Sequence, residues 1–156
     1  STACSAVTNN NIKICCIDNW SEFNPDGTIR DTFIANIARL ESAKMQFEFL
    51  QKDFREVDYF QIGKFNVYMF DGPHRKIDQY LGIVIAQPAL DDQYILIVDD
   101  WNWDFVREGT IAALNILKSQ IVHSIEIRSS YDNSQPQISG QYSNWHNGYF
   151  IAVINK

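Results

Sequence analysis

The chain has 156 residues, enough for one domain with a core of its own. Hydrophobic content of 46% and charged content of 21% match an ordinary folded domain, not a disordered or fibrous one. A net charge of -6 argues against nucleic acid as the main partner, because phosphate contacts need a basic face. No apolar run approaches the roughly 18 residues of a membrane helix, so no span is expected. No basic n-region precedes an apolar h-region, so no leader is visible.

Ser1 to Val7 reads as the end of a helix, and Asn9-Asn10-Asn11 as a turn. Ile12 to Ile17 reads as a strand ending at Asp18. The three cysteines are Cys4, Cys15 and Cys16. The last two are neighbours within this strand, so they face opposite sides as buried free thiols, and a reducing, cytoplasmic setting follows. Asn19 to Thr28 is a loop with the turn Asn24-Pro25-Asp26-Gly27. Asp31 to Ala43 carries Phe33, Ile37 and Leu40 at helical spacing, with Asp31 as the expected N-cap. Gln46 to Gln51 alternates as a strand and ends near Asp53; Phe54 to Tyr59 is a short helix or turn.

Phe65 to Phe70 is an apolar strand stopped by Asp71-Gly72-Pro73-His74. His74 to Gln87 is a helix ended by Pro88. Tyr94 to Val98 is an unbroken apolar run, the pattern of a strand covered on both faces. It stops at Asp99 and Asp100. Trp103 to Lys118 is a helix in which Gly109-Thr110 predicts a kink. Val122 to Ile127 and Tyr149 to Ile154 form an antiparallel hairpin around a long polar loop, Ser129 to Asn147. Strands alternating with helices, then a hairpin, indicate an α/β doubly wound, mostly parallel sheet with a C-terminal antiparallel hairpin.

Four strands therefore end at or near acids: Asp18, Asp53, Asp71 and the Asp99-Asp100 pair. One such Asp merely caps the next helix; four along one rim repel unless a cation, a proton or a donor-rich ligand lies between them. In open α/β sheets ligands bind beyond the carboxyl ends of the strands. Asp71, Asp99 and Asp100 form the tightest group, and oxygen ligands suit Mg²⁺, Mn²⁺ or Ca²⁺. Asp18 and Asp53 suit the hydroxyl and amino donors of a nucleoside. His74 is a general base, a metal ligand or simply the start of its helix. His123 sits on an edge strand as a structural residue, and His146 is a pocket candidate in the last loop. Trp20, Trp101, Trp103 and Trp145 fall in loops or at element ends, where aromatics close over ligands or fill gaps. No Gly-x-Ser-x-Gly, Walker loop or Cys/His nucleophile pair is present, which disfavours hydrolase and kinase readings.

At Ile17-Asp-Asn-Trp-Ser-Glu-Phe23, Asp71-Gly-Pro-His74 and Val98-Asp-Asp-Trp-Asn-Trp103 the chain resembles class I S-adenosylmethionine-dependent methyltransferases, in the branch of the macrocin O-methyltransferase-like enzymes. The resemblance implies a Rossmann-like sheet and S-adenosylmethionine as cofactor. Its ribose would lie at Asp18 and its adenine amino group at Asp53, with Asn19, Trp20 and Phe54 also binding the cofactor. It implies Mg²⁺ (or Mn²⁺) on Asp71, Asp99 and Asp100, with Asp71 or His74 taking the proton of a substrate hydroxyl. The implied acceptor is a small molecule, a sugar or glycosylated metabolite. The family opens with a strand and a glycine-rich turn, whereas no glycine precedes Gly27 here. The expectation is a sheet without its first strand, in a fragment or a shortened member, with pairing of two copies as one way to cover exposed edges. The alternatives are a non-catalytic methyltransferase-fold protein serving as a binding or assembly module, and a sugar-binding module built on the loop tryptophans.

Overall fold

The computed structural model describes residues 11–22, 24–40, 45–134 and 146–156. The helix expected over Ser1 to Val7, Cys4 and Trp145 lie outside them. The chain falls into two compact units, 1–57 and 58–156, and each is described by itself.

The first unit is a strand–helix–strand crossover. Strands β1 (Ile12–Ile17) and β2 (Met45–Leu50) pair in parallel, from Ile12 opposite Met45 to Ile17 opposite Leu50. Helix α1 (Thr28–Leu40) connects them. Phe47 and Phe49 alternate onto one face of β2 and meet Phe33 of α1, with ring centroids 5.9 and 5.6 Å apart. Trp20 joins this cluster, 5.5 Å from Phe33 and 5.9 Å from Phe49. The helix starts three residues before the expected cap. Asp26 accepts from the Thr28 N–H at 3.0 Å, and Asp31 lies in the first turn, where a negative charge suits the helix dipole.

The second unit is a four-stranded sheet in the order β3-β4-β6-β5, formed by β3 (Phe65–Phe70), β4 (Leu90–Asp99), β5 (Gln120–Ile127) and β6 (Tyr149–Asn155). Strands β3 and β4 are parallel; β6 runs antiparallel to both β4 and β5. The expected hairpin forms, and its second strand inserts beside β4. Helices α2 (Lys76–Ile85) and α3 (Asp104–Ile116) connect the strands.

Strand alternation divides this sheet into two unlike faces. Phe70, Tyr94, Leu96, Val98, Phe150, Ala152 and Ile154 share one face and are buried. Tyr68 on that face donates its hydroxyl to the Gly82 carbonyl at 2.8 Å, which places α2 against it. The opposite face carries Val67, Met69, Ile95 and Ile125, which are 48%, 50%, 38% and 51% exposed. Cover on both faces of Tyr94 to Val98 is therefore not what the structure has: Ile95 points to the open face.

Helix α3 is unbroken through Gly109, contrary to the expected kink. The glycine is required by packing instead. A Cβ there would lie 2.6 Å from the Lys76 carbonyl oxygen and 2.8 Å from the Gln79 Cβ. Backbone cannot yield as a side chain can, so Gly109→Ala is expected to destabilise the fold by about 1–3 kcal/mol, read by urea denaturation.

Candidate functional site

In the first unit, Asp18 follows β1 and Asp53 follows β2, at the same end of two parallel strands. Asp18 accepts from the Trp20 N–H at 2.6 Å, which fixes a tight turn with Trp20 at φ +57°. The Asn19 side chain donates to Asp53 at 3.3 Å, so the two strand ends are tied together. Asp53 also caps the short 3-10 turn Phe54–Glu56 and pairs with Arg55 at 2.9 Å, while the Arg55 guanidinium lies 4.2 Å over the Phe54 ring. Asp18, Asn19, Trp20, Asp53 and Phe54 thus converge on one rim of this unit. Trp20 is engaged by its phenylalanine neighbours, and its Nε1 is buried with no hydrogen-bond partner among the described residues. The free thiols of β1 are half-buried, and burial pushes Cys15 up to about 11 and raises Cys16 as well, which disfavours the thiolate.

In the second unit, Asp71, His74 and Asp100 each bring a ligand atom within 4.8 Å of the other two. Asp71 follows β3, and Gly72-Pro73 turns the chain back so that His74 faces the end of β4. Asp100 follows β4 in a left-handed conformation, φ +57°, which turns its side chain out of the strand alternation. His74 Nε2 lies 2.5 Å from Asp100 Oδ2, yet the imidazole N–H has no aligned hydrogen-bond acceptor. The Trp103 ring meets His74 edge-on at 4.8 Å.

Asp99, expected beside Asp71 and Asp100, is not in this group of three. One of its carboxylate oxygens accepts from the Asp100 N–H at 2.8 Å, and it interacts with Tyr149 across the sheet. The split between neighbouring acids is electrostatic too. Burial raises the Asp99 carboxyl. Burial also pushes Asp100 up, but contacts from His74 and Asn147 more than offset it, so Asp100 sits below the ordinary range. His74 is raised, first by its contact with Asp100 and further by the charges of Asp71 and Asp99, with burial opposing. His146, the pocket candidate of the last loop, is near enough to lower both Asp99 and Asp100.

Sequence reasoning missed the residues that hold this edge together. Asn147 donates to Asp100 Oδ1 at 2.6 Å and is buried. Asn102, also buried, donates to Ser129 Oγ at 2.8 Å and accepts from the Ser129 N–H at 2.9 Å. The backbone N–H of Trp101 donates to the Gly148 carbonyl at 3.2 Å, and that of Asn102 to the Asn147 carbonyl at 2.7 Å. Gly148 adopts φ +84°, and a Cβ there would strike the Ile127 carbonyl. The Asn147-Gly148 dipeptide was the available signal, a turn directly before the last strand. Trp101 is structural: it stacks on Phe150 at 4.5 Å and donates Nε1 to Glu126 at 2.9 Å.

No family model matches this chain, and no curated protein does. Solved structures do. SMU.776, assigned as a methyltransferase and solved in complex with SAH, superposes with a TM-score of 0.52 over 99% of this chain and 42% of its own, at 13% identity. A protein from Streptococcus mutans, assigned as a SAM-dependent methyltransferase, gives 0.53 over 99% and 41%, at 14% identity. One from Thermoplasma acidophilum, also assigned as a methyltransferase, gives 0.52 over 94% and 69%, at 10% identity. The chain shares the α/β fold of these structures. It spans about two fifths of the length of the first two structures. At these identities the likeness is one of architecture, and chemistry has to be argued from the site. Among the described residues no helix is long and apolar enough to cross a membrane.

Proposed function

We propose that the chain takes part in S-adenosylmethionine-dependent methyl transfer to a hydroxyl of a small molecule, a sugar or glycosylated metabolite, assisted by a divalent cation, as in the macrocin O-methyltransferase-like branch. The observation that carries the metal reading is the convergence of Asp71, His74 and Asp100, each with a ligand atom within 4.8 Å of the other two. Two carboxylates and one imidazole fit a divalent ion, and the nitrogen favours Mn²⁺ over Mg²⁺. A cation held there lowers the pKa of a hydroxyl that binds it. Asp71 is exposed, and in this reading it takes the hydroxyl proton. His74 cannot ligate through Nε2 and accept a proton at the same atom; in this reading it is a ligand. Asp99 holds the Asp100 N–H behind the ligands.

S-adenosylmethionine supplies an electrophilic methyl carbon: its C–S bond breaks as the O–C bond forms. Asp18 and Asn19 would take the ribose hydroxyls and Asp53 the adenine amino group, with Trp20 and Phe54 flanking them. Isothermal titration with S-adenosylmethionine is expected to give saturable heat. Silence at millimolar cofactor, with circular dichroism showing a folded protein, would reject this assignment.

One observation favours a second reading, a non-catalytic binding or assembly module. The half-exposed apolar face of Val67, Met69, Ile95 and Ile125 is more than a solvated surface needs. Methyl transfer to any hydroxyl acceptor would reject that reading.

A further inference from the structure

On the reading of Asp71, His74 and Asp100 as cation ligands, we infer that Asn147 is a positioning residue of that site, fixing the rotation of the Asp100 carboxylate so that Oδ2 is the oxygen presented to the cation. Asn147 reaches Asp100 from 47 positions further along the chain, out of the segment before β6. Both side chains are buried, with residue exposures of 2% and 7%. The amide Nδ2 engages Asp100 Oδ1 at 2.6 Å. The other oxygen, Oδ2, is then the one at 2.5 Å from His74 Nε2. The contact with His74 would be met equally by either oxygen; the Asn147 amide on Oδ1 is what makes Oδ2 the one presented.

The amide cannot be reversed. Turning it would set its oxygen against a carboxylate oxygen, two acceptors without a proton between them. In the orientation it holds, Asn147 Oδ1 is buried with no hydrogen-bond partner among the described residues. A side chain present only to fill this space would be apolar and would avoid that cost. Among the described residues its side-chain hydrogen bond goes to a ligand. Nor is the side chain needed to dock its own segment. The Asn147 and Gly148 carbonyls already accept from the Asn102 and Trp101 N–H groups. Groups that orient ligands in this way contribute strongly to metal affinity without touching the metal.

The test is Mn²⁺ binding to the whole chain, followed by loss of the free-ion electron paramagnetic resonance signal. Asn147→Ala and the volume-filling Asn147→Leu are compared with the unchanged chain and with Asp100→Asn. The expected result is one tight ion per unchanged chain and a roughly 10- to 100-fold weaker constant in both Asn147 variants. Their thermal midpoints in EDTA should stay close to the parent value. Because Asn147 acts through Asp100, adding Asn147→Ala to Asp100→Asn should weaken binding no further. Parent-like Mn²⁺ binding in either folded Asn147 variant overturns the inference. So does a loss that simply adds to that of Asp100→Asn, the mark of a structural role. An unchanged chain that binds no Mn²⁺ removes the cation reading itself, a result distinct from the other two.

Discussion

If Asp71, His74 and Asp100 hold a cation as proposed, Asp100→Asn is expected to cut Mn²⁺ affinity by on the order of 100-fold or more while the protein stays folded. Loss of a group that merely orients a ligand already costs tenfold to a hundredfold, so loss of a charged ligand should exceed that. The fold should tolerate the change for a local reason. Asn enters the left-handed region as readily as Asp, so φ +57° is no obstacle. The new amide oxygen can still accept from Asn147, and the new NH2 group can donate to His74 Nε2 when the imidazole is neutral with its proton on Nδ1. What disappears is one negative charge between His74 and Asn147. His74, raised first of all by Asp100, should titrate lower as a result. Asp99→Asn offers the contrast. Its side chain faces the Asp100 N–H and Tyr149, so a much smaller loss is expected. Calorimetric titration with Mn²⁺ and far-ultraviolet circular dichroism on both variants would decide it. Parent-like binding in Asp100→Asn would leave no metal site at this edge.

The contrast between Asp99 and Asp100 shows how far the sequence could be read. Apolar runs that stop at acids place both residues at a strand end, and the structure puts them there. Which acid turns into the site depends on the backbone angle of Asp100, and no residue type announces that angle. Asp-Gly-Pro-His likewise shows a turn, and the turn does bring His74 to the edge. It does not show that His74, not Asp99, completes the group of three. Asn147 lay further out of reach. Its role requires the register of β6 on β4, with Tyr149 opposite Asp99, and that pairing spans about fifty residues. Gly109 illustrates the reverse error. A glycine inside a helical pattern suggested a bend, but the constraint came from a neighbouring helix touching it edge to backbone. The tryptophans divided for a similar reason. Trp101 fell into the core because Phe150 and Glu126 satisfy both its ring and its N–H; Trp103 stayed beside His74. The methyltransferase architecture was legible because alternation and strand-end acids are local signals. The faces of the second sheet were not, since Tyr94 to Val98 reads the same whether one side or both are covered.

The sharpest pH behaviour should come from His74, and it should be cancelled when a cation is added. The folded pKa of His74 is raised, so the protonated imidazole, held by Asp100 and the charges of Asp71 and Asp99, is the favoured form. Its contribution to stability is fully present below the unfolded value of about 6.5 and is lost as pH rises through the folded value. Asp100 is held low by His74 and Asn147, and Cys15 titrates at about 11, so this contact should be seen in the interval just above pH 6.5 as the part of the slope that His74→Gln removes. Without a cation, the thermal midpoint should therefore carry a component that falls across that interval. A divalent ion competes with the same proton for Nε2. Its affinity should rise about tenfold per pH unit below the folded His74 pKa and level off above it. At a fixed, saturating Mn²⁺ concentration the stabilisation from binding grows with that affinity and offsets the fall above pH 6.5, so the component contributed by this site should be flat there and rise with pH only below it. His74→Gln should flatten both components while leaving a weaker, pH-insensitive site on Asp71 and Asp100. Thermal melts from pH 6 to 8, with EDTA or with Mn²⁺, measure both slopes in one set of samples. Equal slopes with and without the ion would mean that His74 keeps its proton when the cation binds, and that the imidazole is not a ligand.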